Sequence, residues 1–254
     1  MTIGIGFLCE DGIVLCSDTQ ITYPANHKYY ETKLYRHSGA GWEAAFIYAG
    51  NPNLMKSFYG KFGAAMRLVP PPWSCAKIHG VIETLLNEMD VVDSDPDGLQ
   101  MLCAICVAPD FAFLKTERKI VSLASGMEYI GLGDSSLLRY LAPLLVQTRA
   151  HIASQAMMLG NFLVQQAKRY VDGCGGETNG LVLKSDGRAT WYTHIDRIEQ
   201  RFLSLEFALG QVATFLFDGR VTEHEFNGKI DQLTTALKDF RREQIPLVSV
   251  AKNK

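Results

Sequence analysis

The sequence predicts an α+β fold, and two patterns carry that reading. Short apolar runs with strand alternation come in three blocks, near the start, in the middle, and late in the stretch ending at Ile195. Between them lie two blocks of helical spacing, each a pair of segments. Strands, a helical pair, strands, a helical pair and strands make a four-layer αββα sandwich the natural arrangement, although the pattern alone also allows other α+β layers. The chain has 254 residues and is 47% hydrophobic, so one large core and a single domain spanning 1–254 are expected.

The chain opens as a hairpin. Ile3, Ile5 and Phe7 alternate with Gly4, Gly6 and Leu8, then Glu10-Asp11-Gly12 interrupts and Ile13-Val14-Leu15-Cys16 resumes. A two-residue Asp11-Gly12 loop would pair Ile5 with Asp18 and leave Thr2 and Asp18 on opposite faces. A three-residue loop with Gly12 left-handed pairs Gly4 with Asp18 and puts Thr2 on Asp18's face, and we expect that one. A second strand pair follows, Lys33–His37 and Trp42–Ala49, ending at Gly50.

Helical spacing then takes over from Leu54 to Leu68, and Pro70-Pro71-Pro72 breaks it. Ser74 reads as the N-cap of a second helix through Met89. Val92 to Gly98 is an acidic loop without the downstream glutamate of a calcium loop. Strands are expected at Leu99–Pro109, Phe111–Leu114, Ile120–Ala124 and Tyr129–Gly131. Asp134-Ser135 would cap a helix through Val146, and another helix runs from His151 to Tyr170. A late hairpin, Leu181–Leu183 with Ala189–Ile195, turns at Ser185-Asp186-Gly187. Last comes an amphipathic helix over about 222–243, opened by the capping box Thr222-x-x-Glu225 and striped by Phe226, Ile230, Leu233, Leu237 and Phe240. That stripe suits packing on its own domain and contact with another subunit equally.

Chemistry concentrates at the start. Met1 is followed by the small residue Thr2, so trimming of the initiator would leave a threonine at the N-terminus. Such a residue carries a hydroxyl nucleophile and its own base, because a free α-amine titrates at about 7.7–8.0. Lys33, placed near Asp18, would favour the neutral amine and stabilise a developing alkoxide. Gly50, at a strand end, can turn its backbone N–H toward an oxyanion.

Thr2, Gly4, Asp11-Gly12-Ile13-Val14-Leu15 and Ser17-Asp18 together resemble the opening of proteasome β-type subunits. Thr2 and Asp18 stand sixteen residues apart, the spacing of that family's nucleophile and first aspartate. Lys33 in Thr32-Lys33-Leu34-Tyr35 is similar to its active-site lysine, and Gly50 in Ala49-Gly50 to its oxyanion-hole glycine. The texture around Ser17-Asp18 and Ala49-Gly50-Asn51 is closer to bacterial proteasome-like homologues, such as the ancestral β-subunit group, than to the standard subunits. The resemblance covers the chain well from its start to Gly50, and the rest in outline. It implies the N-terminal nucleophile (Ntn) hydrolase form of the αββα sandwich, threonine peptidase chemistry and assembly into a homo-oligomeric ring.

The chain also departs from that pattern. Thr19-Gln20 stand where the family has an arginine shortly after its aspartate. The family's Gly-Ser-Gly segment is matched by Gly131-Leu132-Gly133, followed by Asp134 and Ser135. Asp172-Gly173-Cys174-Gly175-Gly176 matches its late Asp-x-x-Ser-Gly segment only loosely. Gly131, Gly133, Asp134, Ser135 and Asp172 are therefore candidate supports for the Thr2 amine, and Gln20, Thr22 and Tyr48 candidate pocket residues.

Composition narrows the partners. A formal charge of −2 gives no electrostatic case for nucleic acid or an anionic membrane. No stretch approaches the roughly 20 apolar residues of a membrane helix, and no targeting peptide is read before Thr2. The six cysteines sit in apolar stretches, and Cys103 and Cys106 would face opposite sides of one strand. A reduced, cytoplasmic protein is expected. The six histidines show no metal-ligand spacing, and Gly131-Leu132-Gly133 lacks the third glycine of a dinucleotide loop. No metal or organic cofactor is implied. The expected activity is hydrolysis of peptide bonds in a peptide or unfolded protein; an ATPase partner is not specified. Two alternatives stand beside it: an inactive structural or assembly subunit, and an amidohydrolase acting on a small amide.

Overall fold

The computed structural model describes residues 2–22, 27–89, 98–131, 152–192, 207–209, 211–216, 218 and 220–249, with side chains through 242. Contacts divide the chain into two compact units, Met1–His194 and Ile195–Lys254.

The first unit is a mixed α/β structure. Its strands are β1 (Ile3–Cys9), β2 (Gly12–Asp18), β3 (Gln20–Thr22), β4 (Lys28–Tyr30), β5 (Leu34–Gly39), β6 (Trp42–Ala49), β7 (Gln100–Val107), β8 (Asp110–Glu117), β9 (Ile120–Leu123), β10 (Met127–Gly131), β11 (Thr178–Lys184) and β12 (Ala189–Tyr192). They form two five-stranded sheets, ordered β10-β1-β2-β11-β12 and β5-β6-β7-β8-β9, and a two-stranded ribbon of β3 and β4. Helices α1 (Pro52–Leu68), α2 (Cys75–Glu88) and α3 (Ala153–Tyr170) complete the described part of the unit.

Three buried clusters hold these elements. One joins Phe46, Tyr48, Met101, Cys103 and Ile105 of β6 and β7 to Met55, Phe58, Phe62, Ile78, Ile82 and Leu86 of α1 and α2. A second joins Ile3, Ile5, Phe7, Val14 and Cys16 of the first hairpin to Ala156, Met157, Leu163, Val164 and Ala167 of α3. The third draws on both five-stranded sheets, with Ile13, Leu15, Leu181 and Ile130 from one and Ala45, Ile47, Leu102, Ala104 and Phe113 from the other. Strand alternation sends successive residues into different clusters. Cys103 and Cys106 accordingly lie on opposite faces of β7, and all six cysteines are free thiols.

Local signals explain the helix ends. Asn51 caps α1 by accepting from Asn53 N (2.9 Å), and Pro52 occupies the first turn, where a missing N–H costs nothing. The helix therefore begins two residues before the Leu54 expected from periodicity. Ser74 caps α2 as expected, accepting from Lys77 N at 3.2 Å. On α1, Met55, Phe58, Phe62 and Met66 recur three or four residues apart and are all buried. Burying each of those phenylalanines contributes about 1.5–3 kcal/mol.

The first hairpin departs from both registers considered above. Gly4 pairs with Ser17, Ile5 with Cys16 and Cys9 with Gly12, so the turn is the two-residue Glu10-Asp11. Contacts far away in sequence hold it there. The Asp11 carboxylate accepts from Ala153 N (2.7 Å) at the start of α3, and its carbonyl accepts from Ser185 N (3.1 Å). Gly12 has φ +153°, and a Cβ there would collide with the Leu183 carbonyl oxygen. The turn thus slides one residue back to dock three elements at once.

The second unit contains α4 (Glu223–Ser249). Its capping box is complete: Thr222 N donates to Glu225 Oε2 (2.9 Å) and Glu225 N donates to Thr222 Oγ1 (3.3 Å). Phe226, Ile230, Leu233 and Phe240 are half-buried, and Leu237 is 43% exposed. The expected acidic loop over Val92–Gly98, apart from Gly98, and the helix at Asp134–Val146 lie outside the described residues. No described helix is long and apolar enough to cross a membrane.

Candidate active site

Asp18 ends β2 with its side chain fully buried, and three donors converge on it. Oδ1 accepts from Lys33 Nζ at 2.7 Å and from Ile3 N at 3.1 Å. Oδ2 accepts from Gly175 N at 3.0 Å. Lys33, also fully buried, precedes β5 in the other large sheet and donates a second hydrogen bond to the Gln20 carbonyl. The ladder between β1 and β2 stops at Gly4 and Ser17, so the Asp18 carboxylate takes the Ile3 N–H in place of a backbone partner. The expected diagonal placement of Thr2 beside Asp18 on one sheet face is therefore corrected. Asp18 reaches the start of the chain by hydrogen-bonding the residue next to Thr2.

Burial pushes the Asp18 carboxyl above its ordinary value, against the Lys33 charge and hydrogen bond and the Gly175 and Ile3 N–H groups, which pull it down. Burial also holds the Lys33 ammonium below its ordinary value, opposed by the Asp18 charge. Each group needs the other to stay ionised without water. Cys174 lies close enough to feel both charges, but burial pushes its thiol to about 12. It stays a neutral thiol near pH 7 and does not compete as a nucleophile.

Thr2 itself is 4% exposed. Its other flank is made by Gly131, the last residue of β10, which pairs with Ile3. Gly131 has φ +68°, and a Cβ there would collide with the Thr2 carbonyl oxygen and press on Ala49 Cβ. Only glycine lets these backbones meet so closely. Ala49 ends β6, and Gly50, half-buried with φ +103°, follows it into the cap of α1.

Of the residues expected at the site, Asp18 and Lys33 meet directly, Thr2 adjoins them through Ile3, and Gly131 abuts Thr2. Gly50 stands beside Ala49 on that same flank. Asp172 is exposed on a turn, and Gly175, three residues on, supplies the N–H that reaches Asp18. Gly133, Asp134 and Ser135 lie outside the described residues. Tyr48 faces the core shared with α1 and α2, which turns it away from any pocket at Thr2. Gln20 is buried and Thr22 half-buried, and Gln20 Nε2 donates to Thr22 Oγ1 at 3.3 Å. A cavity of about 470 Å³ opens beside the pair, but Thr19, Tyr30, Glu31, Thr32, Gly176, Glu177 and Asn179 line it, and neither Gln20 nor Thr22 does.

Solved structures share the fold. An Anbu Gly-1 mutant from Hyphomicrobium sp. strain MC1 superposes with a TM-score of 0.71 at 14% identity, covering 84% of this chain and 97% of that one. Anbu, the ancestral beta-subunit, from Yersinia bercovieri gives 0.69 at 14% identity over 87% and 99% of the two chains. The Anbu complex from Pseudomonas aeruginosa, a helical assembly, gives 0.61 at 14% identity over 82% and 96%. The likeness is one of fold. No protein-family model matches the sequence, and no curated protein does. These structures overturn the family assignment drawn from the stretch between Thr2 and Gly50: the fold is that of Anbu proteins, a different assignment from the proteasome β-type subunits and Ntn hydrolases to which Thr2, Asp18 and Lys33 had pointed.

Proposed function

We propose that the chain is an N-terminal threonine hydrolase that cleaves peptide bonds after removal of Met1. The observation that carries this reading is the buried Asp18–Lys33 pair bonded to the backbone N–H of Ile3, the residue next to Thr2. In this mechanism the Thr2 hydroxyl attacks the substrate carbonyl while the neutral α-amine takes the hydroxyl proton through a water. Lys33, held by Asp18, keeps that amine from protonating, and Gly50 N–H receives the oxyanion. The leaving amine takes the proton, and water then cleaves the ester and restores Thr2. Support for the layout comes from the three clusters, which suit a helix–sheet–sheet–helix stack of four layers.

We further infer a homo-oligomer in which the apolar stripe of α4 meets a neighbouring subunit, since Leu237 remains 43% exposed. The sequence led us to expect a closed ring; the P. aeruginosa Anbu complex is a helical assembly. Sedimentation of the purified protein distinguishes a closed ring from an open series of sizes.

One observation favours a second reading, an inactive assembly subunit. Thr2 is absent from the lining of the cavity that Thr19, Thr32 and Asn179 help to form. Turnover of a fluorogenic peptide panel decides between the two. Hydrolysis retained by Thr2→Ser and reduced more than about 10³-fold by Thr2→Ala supports the hydrolase. A stable oligomer in which wild type and Thr2→Ala are equally silent supports the assembly subunit.

A further inference from the structure

The geometry points to Gln100 as a positioning residue that sets the gap between Thr2 and the oxyanion glycine; this rests on the hydrolase reading above. Gln100 begins β7 and pairs directly with Ala49, the residue before Gly50. Its side chain leaves that sheet. Oε1 accepts from Gly131 N at 2.8 Å, at the end of β10 in the other five-stranded sheet. Gly131 is the residue at which a Cβ would collide with the Thr2 carbonyl oxygen and Ala49 Cβ. One amide oxygen therefore links β7, paired at Gln100 with the residue before Gly50, to the strand that flanks Thr2. The Asp18–Lys33 pair ties the same two sheets on the opposite flank, since Asp18 ends β2 and Lys33 leads into β5.

The chemistry of the link matters. Among the described strands β10 is an edge, so the Gly131 N–H has no further strand there to meet, and Gln100 supplies the acceptor its place requires. The bond is between neutral groups and holds distance rather than charge. Loosening it frees β10 to drift from β6 and widens the space between nucleophile and oxyanion donor. A misplacement of about 1 Å costs on the order of 10²-fold in rate while leaving substrate contacts elsewhere intact. A merely structural residue would instead show its loss in stability or in binding.

The test compares wild type, Gln100→Met and Gln100→Glu. The first variant keeps shape without an acceptor, and the second restores an acceptor. Reaction with a peptide epoxyketone is followed to separate the maximal modification rate from the half-saturating concentration, and exchange of the Gly131 amide is read by NMR. We expect Gln100→Met to lower the maximal rate roughly 10- to 100-fold with half-saturation nearly unchanged, and Gln100→Glu to recover most of it. Gly131 exchange should rise at least about tenfold in Gln100→Met alone. Unchanged rates in Gln100→Met, or a loss confined to half-saturation, overturns the positioning role. Wild type that never takes the adduct overturns the hydrolase reading instead, and Gly131 exchange then judges the bridge by itself: protection equal in wild type and Gln100→Met overturns it too.

Discussion

Asp18 and Lys33 are each fully buried, so the ion pair stands or falls as a unit. Truncating one partner strands a charge among apolar neighbours, at a cost of about 3–5 kcal/mol. Lys33→Met and Asp18→Asn should therefore lose stability of that order in chemical denaturation, as well as peptide turnover. A loss below about 1 kcal/mol for both would show that the pair is already neutral in the folded protein. Gly131→Ala is a second test at this scale. The added methyl meets the Thr2 carbonyl at a φ that favours glycine, so Thr2 should shift and modification of Thr2 by electrophiles should fall sharply, while α4, in the other unit, keeps its helicity. Cys16, fully buried, gives a pH signature. Burial raises its thiol from 9.0 to about 12, so the folded state holds its proton after the unfolded chain has lost it. That contribution is complete below pH 9 and is lost as pH climbs through 12. Its slope for this one thiol is at most about 1.4 kcal/mol per pH unit. Denaturation midpoints between pH 8 and 11 should fall more gently in Cys16→Ala than in wild type.

Among the elements, what could be foreseen was what short stretches of chain decide for themselves. The Ser74 cap, the Thr222–Glu225 capping box and the apolar face of α1 each depend on residues a few positions apart, and each formed as their chemistry requires. The hairpin register depended on partners far along the chain, Ala153 and Ser185, and so was out of reach. Asp11 is a turn residue, as its type suggests, and its carboxylate also accepts from the first N–H of α3. Asp11→Ala should cost about 1 kcal/mol and loosen the start of α3, read as faster amide exchange at Ala153. Unchanged exchange there would show that the Asp11–Ala153 contact does not hold the hairpin in its register. The site divides in the same way. Asp18 and Lys33 were singled out by a likeness to proteasome β-type subunits and by their places at strand ends, whereas Gly175 and Gln100 act through one backbone N–H and one amide oxygen that no local pattern marks.

For the whole molecule, the two large sheets share one buried cluster and are tied at the candidate site by two hydrogen-bonded links, Lys33 to Asp18 and Gln100 to Gly131. Strand and helix blocks foretold that kind of mixed structure. They did not select among families, because a resemblance confined to the stretch between Thr2 and Gly50 reports on a few site positions. The likeness to Anbu structures comes instead from the path of the backbone over 82–87% of the chain. In the proposed mechanism Thr2, freed of Met1, is a nucleophile with its own amine as base. Intact mass of the purified protein, with and without a peptide epoxyketone, tests it most directly, because that reagent closes its ring adduct only where a hydroxyl and a free α-amine share one residue. An N-terminal threonine nucleophile gives a mass lacking Met1 and a single adduct, absent from Thr2→Ala. A mass that retains Met1 and never gains the adduct would contradict it.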